Sequence, residues 1–255
     1  MLTQQRHEMI LKLLDERGSI TVTEIRDLLD ASESTVRRDI TQLAQEGKLT
    51  KVFGGAVALG GIVTAHEYTV AQKNELNLAE KRRIAQSAAA LIGPEDFVYL
   101  DAGTTTAYMI DYISKTNATF VTNAVAHAQR LAARGLKVLL VGGELKSSTE
   151  AVIGAQAMQT IRQYHFTVGF FGTNGVSRTG GCTTPDPGEA MIKQTAMEQC
   201  TKRYVLCDAT KFDQISSVTF AGFYGQTYIT DQIRAGYEDC GNIIVARGGP
   251  GELPG

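Results

Sequence analysis

The chain has 255 residues, enough for one large domain or for a small domain beside a medium one. Its 43% apolar and 20% charged content is that of a globular protein, and a net charge of −2 excludes nucleic-acid binding through bulk positive charge. No apolar run reaches the roughly 18 residues of a membrane span, and the polar start MLTQQRHEMI lacks a signal-peptide pattern, so a cytoplasmic protein with no membrane partner is expected.

Residues 4–16 place Met9, Ile10, Leu13 and Leu14 at helical spacing, with Gly18 as the stop. Ile20 leads to Thr21, an N-cap for VTEIRDLL, and Ser32 is the N-cap of ESTVRRDITQLAQE, which Gly47 ends. Only Asp30-Ala31-Ser32 separates the last two helices, the spacing of a helix-turn-helix. KLTKVFGGAV then reads as a β-hairpin wing turning at Gly54-Gly55.

On the third helix Val36, Ile40 and Leu43 form an apolar stripe. The opposite arc carries Ser34, Arg38, Thr41, Gln42 and Gln45, flanked by Thr35 and Arg37, with Asp39 and Glu46 to one side. Arg and Gln suit bidentate reading of guanine and adenine in a major groove, and Lys48 and Lys51 are placed to hold the DNA backbone. Residues 1–55 hold eight Lys/Arg against nine Asp/Glu, so the bland alternative is a solvated amphipathic helix.

Residues 58–75 read as a linker. From 76 to 246, short apolar runs alternate with helical patterns. The runs are FVYL (97–100), TFV (119–121), KVLLV (137–141), TVGFFG (167–172), YVLCD (204–208), YIT (228–230) and NIIVA (242–246). Helices are expected at 80–92, 105–114, 124–134, 150–163 and 187–201, giving a mostly parallel sheet covered on both faces. Residues 247–255 read as a disordered Gly/Pro tail. Cys182, Cys200, Cys207 and Cys240 lack metal-binding spacing and read as free thiols, with no metal expected.

Ligands of open α/β sheets settle at the carboxyl ends of strands. Those ends carry Asp101-Ala-Gly103-Thr104-Thr105-Thr106, Thr122-Asn123, Gly142-Gly143-Glu144, Thr173-Asn174-Gly175 and Asp208-Ala-Thr-Lys211. DAGTTT can cradle phosphate, since Gly103 allows close approach and the helix start offers N–H donors, although threonines also cap helices. Asp186 and Pro187 open a helix that sets Glu189 and Lys193 four apart, either as a surface ion pair or as pocket residues. Asp208 is otherwise a loop cap and Lys211 a solvated cation. None of His7, His66, His127 and His165 falls within these motifs.

The segment Ser32-Glu-Ser34-Thr35-Val-Arg37-Arg38-Asp39-Ile40, followed by Gly47 and Gly54-Gly55-Ala56, resembles the winged helix-turn-helix of the DeoR family of bacterial sugar-metabolism regulators. Lys51 and Phe53 depart from its usual Arg and His. Residues 76–246 resemble the family's sensor domain, a relative of ribose-5-phosphate isomerase, glucosamine-6-phosphate deaminase and coenzyme A transferases, through DAGTTT, T-N, G-G-E, E-A-x-x-K and D-A-T-K-F in order. The resemblance implies a winged helix-turn-helix over 1–57 and an α/β sensor domain over 76–246. It also implies a sugar-phosphate effector with no cofactor, bound by Asp101, Gly103, Thr104, Thr105, Thr106, Thr122, Asn123, Gly143, Glu189, Lys193, Asp208 and Lys211. Double-stranded operator DNA and a homo-oligomer, dimer or tetramer, complete the implied partners. GFFGTNGVSRTGGCTTPDPGEA resembles the subset governing fructose utilisation, which implies fructose 1-phosphate. Repression controlled by the effector is the leading expectation, with Asp101 holding a hydroxyl. A sugar-phosphate isomerase or deaminase fused to a DNA-binding module, and a regulator with a vestigial pocket, are the alternatives.

Overall fold

The computed structural model describes residues 3–17, 19–52, 55–58, 76–114 and 116–246. The expected stop at Gly18, the wing turn with Phe53 and Gly54, the linker beyond residue 58 and the tail lie outside them. Contacts divide the chain into two compact units, residues 1–66 with 174–186 and 213–223, and residues 67–173 with 187–212 and 224–255.

The first unit begins with α1 (Thr3–Arg17), β1 (Ser19–Thr21), α2 (Val22–Leu29), α3 (Glu33–Gln45), β2 (Leu49–Val52) and β3 (Gly55–Ala58). Thr21 caps α2 in a reciprocal box, its Oγ1 accepting from Glu24 N–H at 3.1 Å while Glu24 Oε2 accepts from Thr21 N–H at 2.8 Å. Ser32 Oγ accepts from Thr35 N–H at 3.3 Å to start α3, and Gly47 ends the turn after it at φ 66, a left-handed conformation that favours glycine. Ile10, Leu14, Ile25, Val36, Ile40 and Leu43 meet in a dry core. Met9, expected on that face, is 41% exposed. The wing is a three-stranded antiparallel sheet in the order β1-β3-β2, because Ser19–Thr21, read from sequence only as a lead-in, pairs with β3.

The chain continues through α4 (Leu78–Ala89), β4 (Phe97–Leu100), α5 (Thr104–Tyr112), β5 (Thr119–Thr122), α6 (Val125–Ala133), β6 (Lys137–Leu140), β7 (Glu144–Lys146), β8 (Ala151–Ile153), α7 (Ala155–Ile161) and β9 (Phe166–Gly172). Then come β10 (Gly175–Ser177), β11 (Gly181–Thr184), α8 (Pro187–Glu198), β12 (Cys200–Leu206), β13 (Val218–Ala221), β14 (Thr227–Thr230) and β15 (Ile243–Val245). Strands β10, β11 and β13 form an antiparallel sheet belonging to the first unit, which the sequence reading missed.

The second unit is built on a seven-stranded parallel sheet in the order β15-β14-β12-β9-β4-β5-β6. Alternate residues of β4 serve its two faces. Val98 and Leu100 join Ile84, Met109, Ile110 and Leu131 in a core with α4, α5 and α6, while Tyr99 stacks on Phe171 at 5.5 Å on the other side, where α8 contacts β9 and β12. Leu139 and Leu140 are 38% and 47% exposed, so the expected burial on both faces fails at β6, which is an edge strand.

Three further expectations are corrected. Residues 151–153 do not open a helix; they pair with 144–146 as a hairpin, leaving α7 only 155–161. The helix expected to reach 201 stops at Glu198, and the following strand begins at Cys200 and ends at Leu206, short of Asp208. No helix among the described residues is long and apolar enough to cross a membrane.

Candidate functional site

On α3, Ser34, Arg37, Arg38, Gln42 and Gln45 are exposed, and Thr35 and Thr41 are half-buried. Several of these polar groups are engaged locally. Arg37 reaches back one turn to Glu33 at 2.6 Å, and Gln42 donates to Glu46 Oε1 at 3.0 Å. Lys48 pairs with Glu46 at 2.8 Å, and Lys51 donates from the wing to Thr41 Oγ1 at 2.8 Å. Arg38 has no hydrogen bond or ion pair among the described residues, so its guanidinium fork is free for a base edge.

Asp39, next to the exposed Arg38, is only 4% exposed. It accepts from Arg6 Nε at 2.7 Å and Nη2 at 3.0 Å, and lies 3.2 Å from His7 Nε2. Burial works to raise its pKa, but the hydrogen bonds from Arg6 and His7 outweigh burial and hold the carboxyl below its usual range. Sequence reading placed Asp39 beside the DNA-facing arc; its partners, more than thirty positions away in the chain, put it at the seam between α1 and α3.

In the parallel sheet β4 runs to β5 and β6 on one side, while β9, β12, β14 and β15 extend from its other edge. The crevice beyond the carboxyl ends of β4 and β9 is therefore a topological switch point. Asp101 and Gly172 meet there, with Gly172 N–H donating to Asp101 Oδ2 at 2.9 Å. Lys193, on the first turns of α8, donates to the same oxygen and to Gly172 O at 3.1 Å. Asp101 and Lys193 are 1% and 4% exposed. Burial pushes the Asp101 carboxyl above the usual range, while Lys193 and the Gly172 N–H oppose that shift.

The loop after Asp101 is held from several directions. Ala102 N–H donates to Asn123 Oδ1 at 3.0 Å, and that oxygen also accepts from the buried Tyr99 hydroxyl at 3.2 Å. Burial raises the Tyr99 phenol well above its ordinary pKa, which keeps it a donor. Thr106, fully buried, spends its hydroxyl on Asp101 O at 2.7 Å and Gly103 O at 2.9 Å. Thr106 therefore shapes the loop from within, whereas Thr104 and Thr105 head α5 with first-turn N–H groups that a helix leaves without acceptors of its own.

Other expected positions are also structural. Thr122 Oγ1 accepts from Ala124 N–H at 3.1 Å, and Asn123 Nδ2 donates to Val152 O at 3.1 Å. Gly143 has φ 153, and a Cβ there would lie 2.7 Å from Ile153 O, so the hairpin's return path requires glycine. Asp208 caps the turn 209–211 and accepts from Asn77 Nδ2 and Thr210 N–H, each at 3.1 Å. Lys211 follows β12, the neighbour of β9, and is half-buried; its backbone N–H donates to Asp208 O at 3.0 Å, and its ammonium has no hydrogen bond or ion pair among the described residues. Glu189 accepts from Thr149 and from Lys146 at 3.2 Å.

His127, outside every motif named from the sequence, lies beside the loop after Asp101. It lies 4% exposed on the first turn of α6, with Nε2 3.2 Å from Gly103 O. A carbonyl only accepts, so Nε2 carries the proton, which leaves Nδ1 as a buried acceptor without a hydrogen-bond partner. Burial, assisted by Arg130, lowers its pKa to about 4. A lone histidine at a helix start has no spacing signature that sequence reading could use.

Residues 6–60 match the DeoR-like helix-turn-helix domain and residues 76–232 the DeoR C terminal sensor domain. The chain belongs to the DeoR family. Its members are transcriptional regulators, not enzymes, and its second domain is of the family's sensor type. The chain is 42% identical over 231 residues, covering 90% of itself and 91% of the other chain, to an uncharacterized HTH-type transcriptional regulator, FruR, of Bacillus subtilis (strain 168). It is 34% identical over 233 residues, covering 90% and 91%, to the lactose phosphotransferase system repressor of Streptococcus mutans serotype c. Among solved structures, ribose 5-phosphate isomerase A of Methanocaldococcus jannaschii is similar at 14% identity and a TM-score of 0.41, covering 53% of this chain and 55% of that one.

Proposed function

We propose that this DeoR-family regulator is a DNA-binding repressor of a sugar-utilisation operon, with its DNA affinity controlled by a phosphorylated sugar bound in the C-terminal domain. Residues 1–57 act as the DNA-binding domain, 58–75 as linker and 76–246 as sensor. The observation that carries the effector reading is the switch-point loop, where internal bonds hold Asp101, Ala102, Gly103 and Thr106 while the helix-start N–H groups of Thr104 and Thr105 face no acceptor of their own helix. Lys211 supplies an uncommitted cation after the carboxyl end of β12, at the same end of the parallel sheet. Asp101, tied to Lys193 and Gly172, accepts a hydroxyl rather than moving a proton.

In α3, Arg38 is the principal base reader, with Ser34, Thr35, Arg37, Thr41 and Gln42 around it and Lys48 and Lys51 on the DNA backbone. A homo-oligomer, dimer or tetramer, holds two operator half-sites, and the effector acts through its differential affinity for forms that bind DNA and forms that do not. Fructose 1-phosphate is the first candidate, from the likeness of GFFGTNGVSRTGGCTTPDPGEA to the fructose subset. The reading is tested by electrophoretic mobility shift on the DNA upstream of the protein's own gene, with and without fructose 1-phosphate, fructose 6-phosphate, ribose 5-phosphate and glucosamine 6-phosphate. A shift that one phosphosugar changes supports it, and operator binding indifferent to all four at millimolar concentration overturns the effector assignment.

A further inference from the structure

The β7–β8 hairpin brings donors to Glu189, which sequence reading set either in a surface ion pair with Lys193 or among the pocket residues. Lys146 Nζ lies 3.2 Å from Glu189 Oε1, and the Thr149 hydroxyl donates to the same oxygen. The Lys146 and Glu189 side chains are only 15% and 10% exposed, so both charges have lost much of their hydration. Glu189 sits one turn before Lys193 on α8, and Lys193 holds Asp101.

The hairpin is tied to the anion loop at its other end as well. Val152 N–H donates to Asn123 O at 2.7 Å, and Asn123 Nδ2 returns a bond to Val152 O at 3.1 Å. Since Asn123 also holds Ala102, hairpin and loop are joined twice, once through Asn123 and once through α8.

Charge decides which group is free to answer a phosphate. Asp101 offsets Lys193, and Glu189 offsets Lys146, so neither pair leaves a surplus for a dianion. Lys193 is buried and held at two oxygens, which fixes it in place. Lys146 stands on a two-stranded hairpin, a weak element by itself, and its four-carbon stem lets the ammonium swing about its anchor. Glu189, once released, is an acceptor only and suits a sugar hydroxyl.

We propose that Lys146 is an effector-binding residue: its ammonium exchanges Glu189 for the phosphate of the bound sugar, while Glu189 takes up one of the sugar's hydroxyls. The proposal rests on the sugar-phosphate reading above and adds a residue and a donor exchange to it.

Calorimetric titration of the full chain with the same four phosphosugars tests it, using the tightest ligand to compare wild type with Lys146→Met, Lys146→Gln and Lys146→Arg. Loss of one charge-assisted bond predicts affinity weakened about 10-fold or more in the Met and Gln variants, and Lys146→Arg within about threefold of wild type. Effector-free operator affinity, which depends on an intact fold, is expected to stay within about twofold in all three. Wild-type affinity retained by both the Met and Gln variants overturns the Lys146 assignment and leaves the sugar-phosphate reading standing. A wild type that binds none of the four overturns both. Equal weakening by Lys146→Arg would identify a merely structural contact and would also overturn the proposal.

Discussion

Arg6 of α1 donates two bonds to Asp39 of α3, at 2.7 and 3.0 Å, and so fixes the rotation of a helix that leaves the neighbouring Arg38 exposed. The carboxylate thus orients the exposed face of α3 without being part of it. Asp39→Asn keeps the shape but halves the acceptor capacity and leaves the Arg6 charge without its counter-ion, and we expect operator affinity to fall about 10-fold with a measurable loss of stability. The pH dependence has a definite sign. The folded carboxyl titrates below its unfolded value of about 3.8, so its stabilisation is present above that pH and disappears as pH falls through the lower folded value. Denaturation of wild type and Asp39→Asn should therefore differ at pH 6 and converge in strong acid. A constant difference across that range would refute the role given to the charge.

Arg37 and Arg38 are adjacent yet unequal. Glu33 holds Arg37 at 2.6 Å on the exposed helix surface, whereas Arg38 has no partner among the described residues. A bidentate base contact is worth about 1–3 kcal/mol, so Arg38→Ala should lower operator affinity by about 10- to 100-fold and relax specificity at one base position. Arg37→Ala should mainly flatten the salt dependence. Competition binding against single-base operator variants distinguishes the two, and uniform weakening by Arg38→Ala across all variants would reduce Arg38 to a phosphate contact.

The recognition helix was legible in the sequence because its determinants are local: the Thr21 and Ser32 caps, the Gly47 stop and the 3.6-residue stripe of Val36, Ile40 and Leu43 all act within a few positions. The parallel strands were legible as short apolar runs for the same reason. What sequence reading missed depends on which strands pair, near or far, and neither apolar runs nor caps announce that. Residues 151–153 read as a helix start because nothing nearby announces their pairing with 144–146, and β10, β11 and β13 are glycine-rich or short strands whose partners lie up to forty residues away. Sequence reading placed Thr106, Thr122 and Asn123 at strand ends but could not give the direction of their hydrogen bonds. All three use polar atoms on the protein's own backbone, and Asn123 also accepts from the Tyr99 hydroxyl.

Asn123 serves three places at once, accepting from Tyr99 and Ala102 and donating to Val152, with 2% of its surface exposed. Replacing it by Leu strands those buried groups, at about 1 kcal/mol or more each, so chemical denaturation should report a loss of about 2–4 kcal/mol. Asn123→Asp keeps the acceptor for Tyr99 and Ala102 but turns an oxygen on Val152 O and buries a carboxyl group, so a loss of similar size is expected, smaller in acid where the protonated carboxyl can donate to that carbonyl. If phosphosugar affinity fell in Asn123→Asp while stability did not, Asn123 would be a direct ligand contact instead of a support for the loop.

His127 gives the sensor domain an acid-sensitive element of known sign. Its pKa falls from 6.5 in the unfolded chain to about 4 in the fold, so between those values the unfolded chain takes up a proton that the folded chain refuses. Stability is then complete above about pH 6.5 and declines as pH drops toward 4, by up to about 3 kcal/mol at the conversion of 1.36 kcal/mol per pKa unit. His127→Gln retains an N–H donor for Gly103 O but cannot take up that proton. Urea denaturation from pH 7.5 to 4.5 should show a steeper fall for wild type than for His127→Gln, with the two curves diverging below pH 6.5. Parallel curves would mean that His127 is protonated as easily in the fold as out of it, and the buried, unpaired Nδ1 would then have to find an acceptor when charged.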